Sequence, residues 1–469
     1  MKISPNGRLR ERFDSFLYSP YYIAVLGALS VLANVFGQEL VAYTIMLPLA
    51  ACACLLGRDL LPLLPVFACA YISPSASNNP GINPVSIFSQ TGSLIYLGVL
   101  LALLIGSLVY RLVKDPDFGG KKLFAQKRKL LSGMCVLGIS YAISGLCSGH
   151  WDEYGLRNLL NATVQFIAVA GLYWLFSGSV KWEEAPKGYL FWTGICEGYV
   201  LTLELAGIYL TQNVWTDSGI LRDKIFTGWG NYNSMGALFA MMIPLPFWLA
   251  IQDRGKWFGF ASAFVFLGAL MLTCSRLSMA MGMLIFAISY VFYLVYIRKM
   301  KGHRIIYAIT ALVPVAIVVV FYRQIVQLAG SISGIGLASM DERTLGFQKG
   351  IQQFLKYPIF GGTFFPVDFE ELYVWAQVDG FTTVFPPRWH NTVIQLLATG
   401  GVVCLTCYII HRVQTVKLFL KNPSRDKVFV ALSILALLLT SLLDCHFFNV
   451  GPVLLYSAML AFTEFKLDK

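Results

Sequence analysis

The sequence predicts an all-α polytopic membrane protein, and three observations carry that expectation. Hydrophobic residues make up 57% of the 469 and charged residues only 13%, with a mean hydropathy of +0.65. A soluble chain carries about 25% charged residues. Apolar runs long enough to cross a hydrocarbon core of ~30 Å as helix recur along the whole chain. The alternation of a barrel strand is absent, and helix is then the form that satisfies every backbone polar group within lipid. The expected architecture is about 12–14 transmembrane helices with one large extracytoplasmic loop that carries a short amphipathic helix.

In chain order, roughly fourteen apolar segments stand out by length and hydropathy. They lie near 21–37, 40–56, 60–73, 93–113, 130–147, 158–180, 188–212, 231–251, 257–273, 277–297, 305–326, 389–410, 428–447 and 449–463. Alternating them from a cytoplasmic N-terminus puts the strongly basic connections 111–129, 298–304 and 411–427 inside, as the lysine and arginine bias of membrane proteins requires. An even number of spans returns the C-terminus to the cytoplasm. The third segment is short and carries Pro62 and Pro65, and little more than Asn449 separates the last two. Twelve or thirteen spans therefore stay open. The basic start (Arg8, Arg10, Arg12) leads into a first span with no small-residue cleavage site, as in an uncleaved anchor.

The formal net charge is +11. Most of it sits in the inner connections, so it reports topology and anionic lipid rather than nucleic acid. The ten cysteines fall mostly inside apolar runs. Cys404 and Cys407 form a C-x-x-C within a spanning segment without partner ligands, which suits small buried residues better than metal or redox use. No metal-ligand spacing, D-x-D pattern or G-x-x-x-x-G-K-[ST] loop occurs, so no metal site, no cofactor and no ATP-driven step is expected.

The longest stretch that cannot be membrane runs from about 327 to 388. It opens with small residues, continues with a helical pattern, and then has about twenty irregular residues before Pro386-Pro387. Ser339-x-x-Glu342 reads as a capping box ahead of Phe347, Ile351, Phe354 and Leu355, so a short amphipathic helix is expected over 341–356, ended by Pro358. Arg343 falls one turn before Phe347 on the stripe expected to be buried. There it needs an anion, or a carboxylate such as Glu370 or Asp379. Cys274-Ser275-Arg276 joins two spans with almost no loop. A helix N-terminus beside a guanidinium makes an anion site, although an arginine reaching to lipid headgroups reads equally well.

His390 opens the span 389–410 behind two prolines. An imidazole at a helix N-terminus is disfavoured as a cation and is able to accept a proton, while a lone histidine is also a common interfacial residue. Trp389 beside it reads as an interface anchor. Other carboxylates outside the spans could serve as base or bind an acceptor: Asp152, Glu153, Asp217, Asp223, Asp368, Glu370 and Glu371. Inside the spans, Glu197 and Glu204 share a helix face, and Asp444, His446 and Asn449 cluster near the end of the penultimate segment. Such groups are functional suspects, with helix-to-helix hydrogen bonding as the other reading.

Taken together, these segments resemble the O-antigen ligase and O-antigen (capsule) polymerase superfamily. The family's Arg, aromatic at +4 and Pro-x-x-Gly-x-Gly correspond to Arg343, Phe347, Pro358 and Gly361, with Phe where Trp is usual and Gly362 one residue early. Its His-Asn before L-Q-L-L-x-x-x-G corresponds to His390-Asn391, Gln395-Leu396-Leu397 and Gly400. Its Asn-Pro-Asn becomes Asn231-Tyr232-Asn233, and its Ser-Arg becomes Ser275-Arg276. The resemblance covers about 225–465, which divides the chain into an N-terminal transmembrane bundle, 1–230, and a ligase-like region, 231–469.

The resemblance implies transfer of an oligosaccharide from an undecaprenyl-diphosphate carrier to an acceptor hydroxyl at the extracytoplasmic face of a bacterial cytoplasmic membrane, without metal. Carried over by position, His390 would activate the acceptor, and Arg276 and Arg343 would hold the diphosphate. Arg222 and Lys224 join them on their outer position alone. Asn231, Asn233 and Asn391 would bind substrate. Polymerase is slightly preferred to ligase. The alternative is a transporter or flippase of lipid-linked glycans, which would use Glu197 and Glu204 in a midplane cavity.

Overall fold

The computed structural model describes residues 5–72, 91–114, 131–147, 154–211, 215–216, 219–220, 225–227, 230–252, 255–298, 336–366, 374–378, 381–385, 388–421 and 424–465, with single positions at 312, 319 and 322. The helices in the N-terminal half are α1 (Pro5–Leu17), α2 (Pro20–Phe36), α3 (Glu39–Leu56), α4 (Leu63–Ile72), α5 (Thr91–Lys114), α6 (Leu131–Leu146), α7 (Gly155–Phe166), α8 (Leu172–Ser179) and α9 (Tyr189–Thr211). A π-turn at Ile167–Gly171 joins α7 to α8. The second half has α10 (Tyr232–Met242), α11 (Pro244–Ala250), α12 (Lys256–Leu272), α13 (Arg276–Arg298), α14 (Gly336–Lys356), α15 (Thr392–Leu420), α16 (Arg425–Thr440) and α17 (Val450–Phe465).

The expected all-α polytopic membrane class is what the chain forms. Six helices among the described residues are long and apolar enough to cross a membrane, or seven if α1 and α2, bent by 66°, count as one span. Fewer pass than the segments read from hydropathy because several segments are short or broken. The third folds into a ten-residue α4, and the penultimate one ends at Thr440. The expected span 305–326 lies outside the described residues apart from single positions.

Local sequence explains the punctuation. α2 starts on Ser19, which accepts from the Tyr22 N–H, with Pro20 in the first turn, and stops at Gly37 in the left-handed region, whose N–H bonds Leu32 O. The stretch expected to be irregular holds an antiparallel hairpin, β5 (Val374–Val378) with β6 (Phe381–Phe385), after two minor hairpins: β1 (Trp215–Thr216) with β2 (Gly219–Ile220) and β3 (Phe226–Thr227) with β4 (Gly230–Asn231). One core runs from Leu17 to Phe462 through both halves. α17 packs on α4 and α8, and α15 on α6, so the second half is threaded among the first.

Two expectations change. The inner basic connection was expected from 411, yet α15 continues to Leu420. Arg412 sits in it with its guanidinium 4.5, 4.4 and 5.1 Å from the ring centres of Tyr408, Phe447 and Tyr456. The amphipathic helix begins at Gly336 rather than at the capping box, because Leu337 and Ala338 ahead of the box are strong helix formers.

α14 keeps its expected faces only in part: Phe347 and Phe354 are half-buried, and Gln348, Gln352 and Lys356 are exposed. Gly350 and Gln353 are buried, whereas Ile351 and Leu355 are 38% and 69% exposed. The Pro358–Gly362 turn then plugs a break in α15 at Gly401 (φ 62, ψ −162). Val402 N and Val403 N donate to Pro358 O and Ile359 O at 2.9 and 3.3 Å, and Gly362 N donates to Ala398 O at 2.8 Å. Gln353 Nε2 closes the joint, donating to Ala398 O and Thr363 O at 2.8 and 3.1 Å.

Candidate active site

Three helix N-termini and one non-helical break are tied together at one end of the bundle. Asn231 caps α10, its Oδ1 accepting from the Asn233 and Ser234 N–H groups at 3.1 Å each. Ser275 stands at the cap position of α13, its carbonyl accepting from Met279 N at 2.8 Å. Its hydroxyl donates to Asn233 Oδ1 at 2.9 Å, so α10 and α13 start side by side. Asn391 caps α15, accepting from Val393 N and Ile394 N at 2.8 and 3.0 Å, and its Nδ2 donates to Leu442 O at 2.7 Å. Each terminus carries the partial positive charge of unpaired N–H groups.

The break between α16 and α17, residues 441–449, completes the arrangement. Thr392 Oγ1 donates to Asp444 O at 3.2 Å, and Asp444 Oδ1 accepts from Cys445 N at 2.7 Å. The other carboxylate oxygen faces His446 Nε2 at 3.8 Å. Asn449 Nδ2 lies 3.4 Å from His446 Nδ1 and donates to Ser234 Oγ at 2.9 Å. A polar path thus runs from Asp444 and His446 through Asn449 to Ser234, and on to the Asn233–Ser275 contact beside Arg276.

Arg343 and His390 arrive from the other side. A Cβ at Gly346, one turn beyond Arg343, would lie 3.8 Å from Arg388 O and 3.9 Å from His390 Cδ2, so α14 passes directly over residues 388–390. His390 (φ 48) and Cys274 (φ 55) both take left-handed backbone just ahead of the α15 and α13 starts. That conformation costs roughly 1–3 kcal/mol for a residue with a Cβ and is met where a turn is over-determined by its surroundings.

The electrostatics agree with this geometry. Burial alone would raise the Asp444 carboxyl, but His446, Arg388 and His390 outweigh it and hold the group below its ordinary value. Burial lowers His446, and Arg388, Arg343 and His390 push the same way against Asp444. Asp444 is therefore an ionised carboxylate amid cations, and His446 is a neutral imidazole. With Arg388 acting on Asp444 and Arg343 on His446, two arginines stand against one acid among the described residues.

Of the residues named from sequence, Arg343 lies on α14, which passes over His390, and the charges of both act on His446. Arg276, half-buried at the start of α13, follows Ser275, whose hydroxyl bonds Asn233. Asn231, Asn233 and Asn391 hold the helix starts, with their side-chain oxygens engaged by backbone N–H groups or by Ser275. Trp389, read as an interface anchor, is instead buried, its backbone N–H donating to Gln395 Oε1 at 3.1 Å. Arg222 and Lys224 lie outside the described residues, as do Asp152, Glu153, Asp217, Asp223, Asp368, Glu370, Glu371 and Asp379. Among the described residues, no group of three His, Cys, Asp or Glu could hold a metal ion.

Sequence reasoning missed Arg388 and Ser234. Arg388 stands two residues before His390, and that proximity was the available signal. Nothing local marks Ser234.

Residues 261–409 match the family model described as O-antigen ligase. The matched segment runs from within α12 into α15 and contains Arg276, Arg343, Arg388 and His390. No curated protein matches the chain. Over that segment the chain is similar to the O-antigen ligase and polymerase superfamily.

Proposed function

We propose, taking that superfamily as the premise, that the chain transfers or polymerises oligosaccharide units from an undecaprenyl-diphosphate carrier onto an acceptor hydroxyl at the extracytoplasmic face of the membrane. The observation that supports this reading is that α14, which carries Arg343, passes over Arg388 and His390, while hydrogen bonds tie the α15 and α10 starts to the 441–449 break and the Ser275 turn to α10. An excess of fixed positive charge beside three helix N-termini suits a diphosphate.

In the proposed reaction the acceptor oxygen bonds to the anomeric carbon while the bond from that carbon to the carrier diphosphate breaks. The bonding electrons leave on the diphosphate, where Arg276 and Arg343 meet the growing charge. His390 takes the acceptor proton, and the Asp444 carboxylate within its field favours the imidazolium that results. The carrier phosphate is the leaving group, so the step needs no nucleotide sugar. Polymerisation is preferred to a single ligation.

The test is His390→Ala at unchanged protein level. The expected result is loss of polymer and accumulation of carrier-linked glycan; normal product would overturn the base assignment. In a reconstituted reaction with the unaltered chain, a ladder of repeat units supports polymerisation, and a single addition to a different acceptor overturns it.

A further inference from the structure

Glu197 and Glu204 lie apart from the glycan site, on α9, and are 1% and 4% exposed. They are two turns apart on one face of the helix. Tight contacts pin α9 on its other sides. A Cβ at Gly198 would sit 2.3 Å from the Phe266 ring of α12, and the Cβ position at Gly27 of α2 lies 2.5 Å from Cys196 Sγ. A rotation of α9 that would release the two carboxyl groups is blocked by both neighbours.

Among the described residues, neither oxygen of Glu204 and not Oε2 of Glu197 meets a hydrogen-bond donor in good geometry. The groups that face them are few. Asn34 of α2 stands beside Glu204. The charges of both Glu39 and Glu204 act on Tyr43 of α3. Cys69 of α4 is near both carboxyls, and Cys196 is next to Glu197 on α9 itself. α12 contributes the Phe266 ring. No lysine, arginine or histidine acts on either group among the described residues.

A buried carboxylate without a counter-charge costs several kcal/mol. A metal ion would need a cluster of ligands, and no such group of three exists among the described residues. The cation that needs no further ligand is the proton.

We propose that Glu197 and Glu204 form a proton-binding pair inside the N-terminal helices.

A hydrophobic carbodiimide reports the protonated form. The carboxyl proton moves to a carbodiimide nitrogen, the carboxyl oxygen bonds to the central carbon, and the acyl group then shifts to nitrogen, giving a stable N-acylurea with nothing lost. The full chain in detergent is treated with dicyclohexylcarbodiimide and the adducts are mapped by peptide mass spectrometry. The expected result at neutral pH is an adduct on Glu197 or Glu204 that disappears in the Glu197→Gln, Glu204→Gln double variant. Labelling should fall about tenfold per pH unit once the pair titrates, and sodium at fixed pH should leave it unchanged. Mapping on the unaltered chain keeps the result independent of how the variant folds. Absence of adduct at both positions overturns the proposal, and protection by sodium at constant pH overturns the assignment to a proton.

Discussion

Asn449 Nδ2 donates to Ser234 Oγ at 2.9 Å, joining two residues 215 positions apart. This one bond ties the break between α16 and α17 to the first turn of α10. Both residues are buried, at 7% and 3% exposure, so neither group has water as an alternative partner. The positions of His446 and of the Ser275–Arg276 turn are therefore coupled.

Removing that bond should loosen the coupling. Asn449→Ala leaves a buried hydroxyl short of its donor and is expected to lower stability by about 1–3 kcal/mol. Ser234→Ala should behave alike, and the double variant should lose less than the sum because the two residues share one interaction. Thermal unfolding in detergent of the four chains in the cycle checks this. Strict additivity would show that the residues are not coupled.

Arg343 is expected to act through its planar fork as well as its charge. Arg343→Ala should reduce glycan transfer by roughly 10²–10³-fold, the scale on which loss of one preorganised donor to developing charge is felt. Arg343→Lys keeps the charge without bidentate contact and should recover only part of that loss. Steady-state transfer with a lipid-linked donor reads both, and a lysine variant with full activity would reduce the role to charge alone.

Gly401 cannot carry a side chain. Its backbone (φ 62, ψ −162) lies in a region that is essentially glycine-only, and a Cβ there would sit 2.3 Å from Ile359 O. Gly401→Ala should lower the thermal midpoint by the equivalent of more than ~2 kcal/mol, since both strain and overlap with backbone must be relieved. Val402→Ala, one residue on and exposed, should leave the midpoint nearly unchanged.

Acidification should destabilise the fold through the 441–449 break. His446 is held below its ordinary 6.5, so from about pH 6.5 downward the unfolded chain binds a proton that the folded chain refuses. Stability therefore falls as pH drops from 6.5 toward the folded value. Asp444, held below 3.8, extends the loss to stronger acid, where its carboxylate is finally protonated. Melting curves between pH 7.5 and 5 check the first window, and His446→Gln should flatten the slope there.

Several parts of the site were legible because they are local. The Pro358–Gly362 turn, the His390-Asn391 start and the Ser275-Arg276 turn each announce themselves by residues adjacent in the chain, where prolines, glycines and caps act on their immediate neighbours. The face of α14 was legible only in part: Gly350 packs on Trp389 and Ile394 and Gln353 bonds Ala398 O, contacts with a distant element that leave Ile351 and Leu355 exposed. Arg388 had only its nearness to His390 to mark it, and the roles of Asp444 and His446 depend on contacts with other elements.

The sequence by itself determined the membrane class, the run of helices and the residues able to carry charge, because hydropathy and turn chemistry act over a few residues. Tertiary structure decided which of those residues share a site. The pairing of Asp444 with His446 amid Arg343, Arg388 and His390, the Asn449–Ser234 bond and the plugging of Gly401 by the Pro358–Gly362 turn all join segments distant in the chain. Packing and buried hydrogen bonding select such pairs, and no local pattern encodes them.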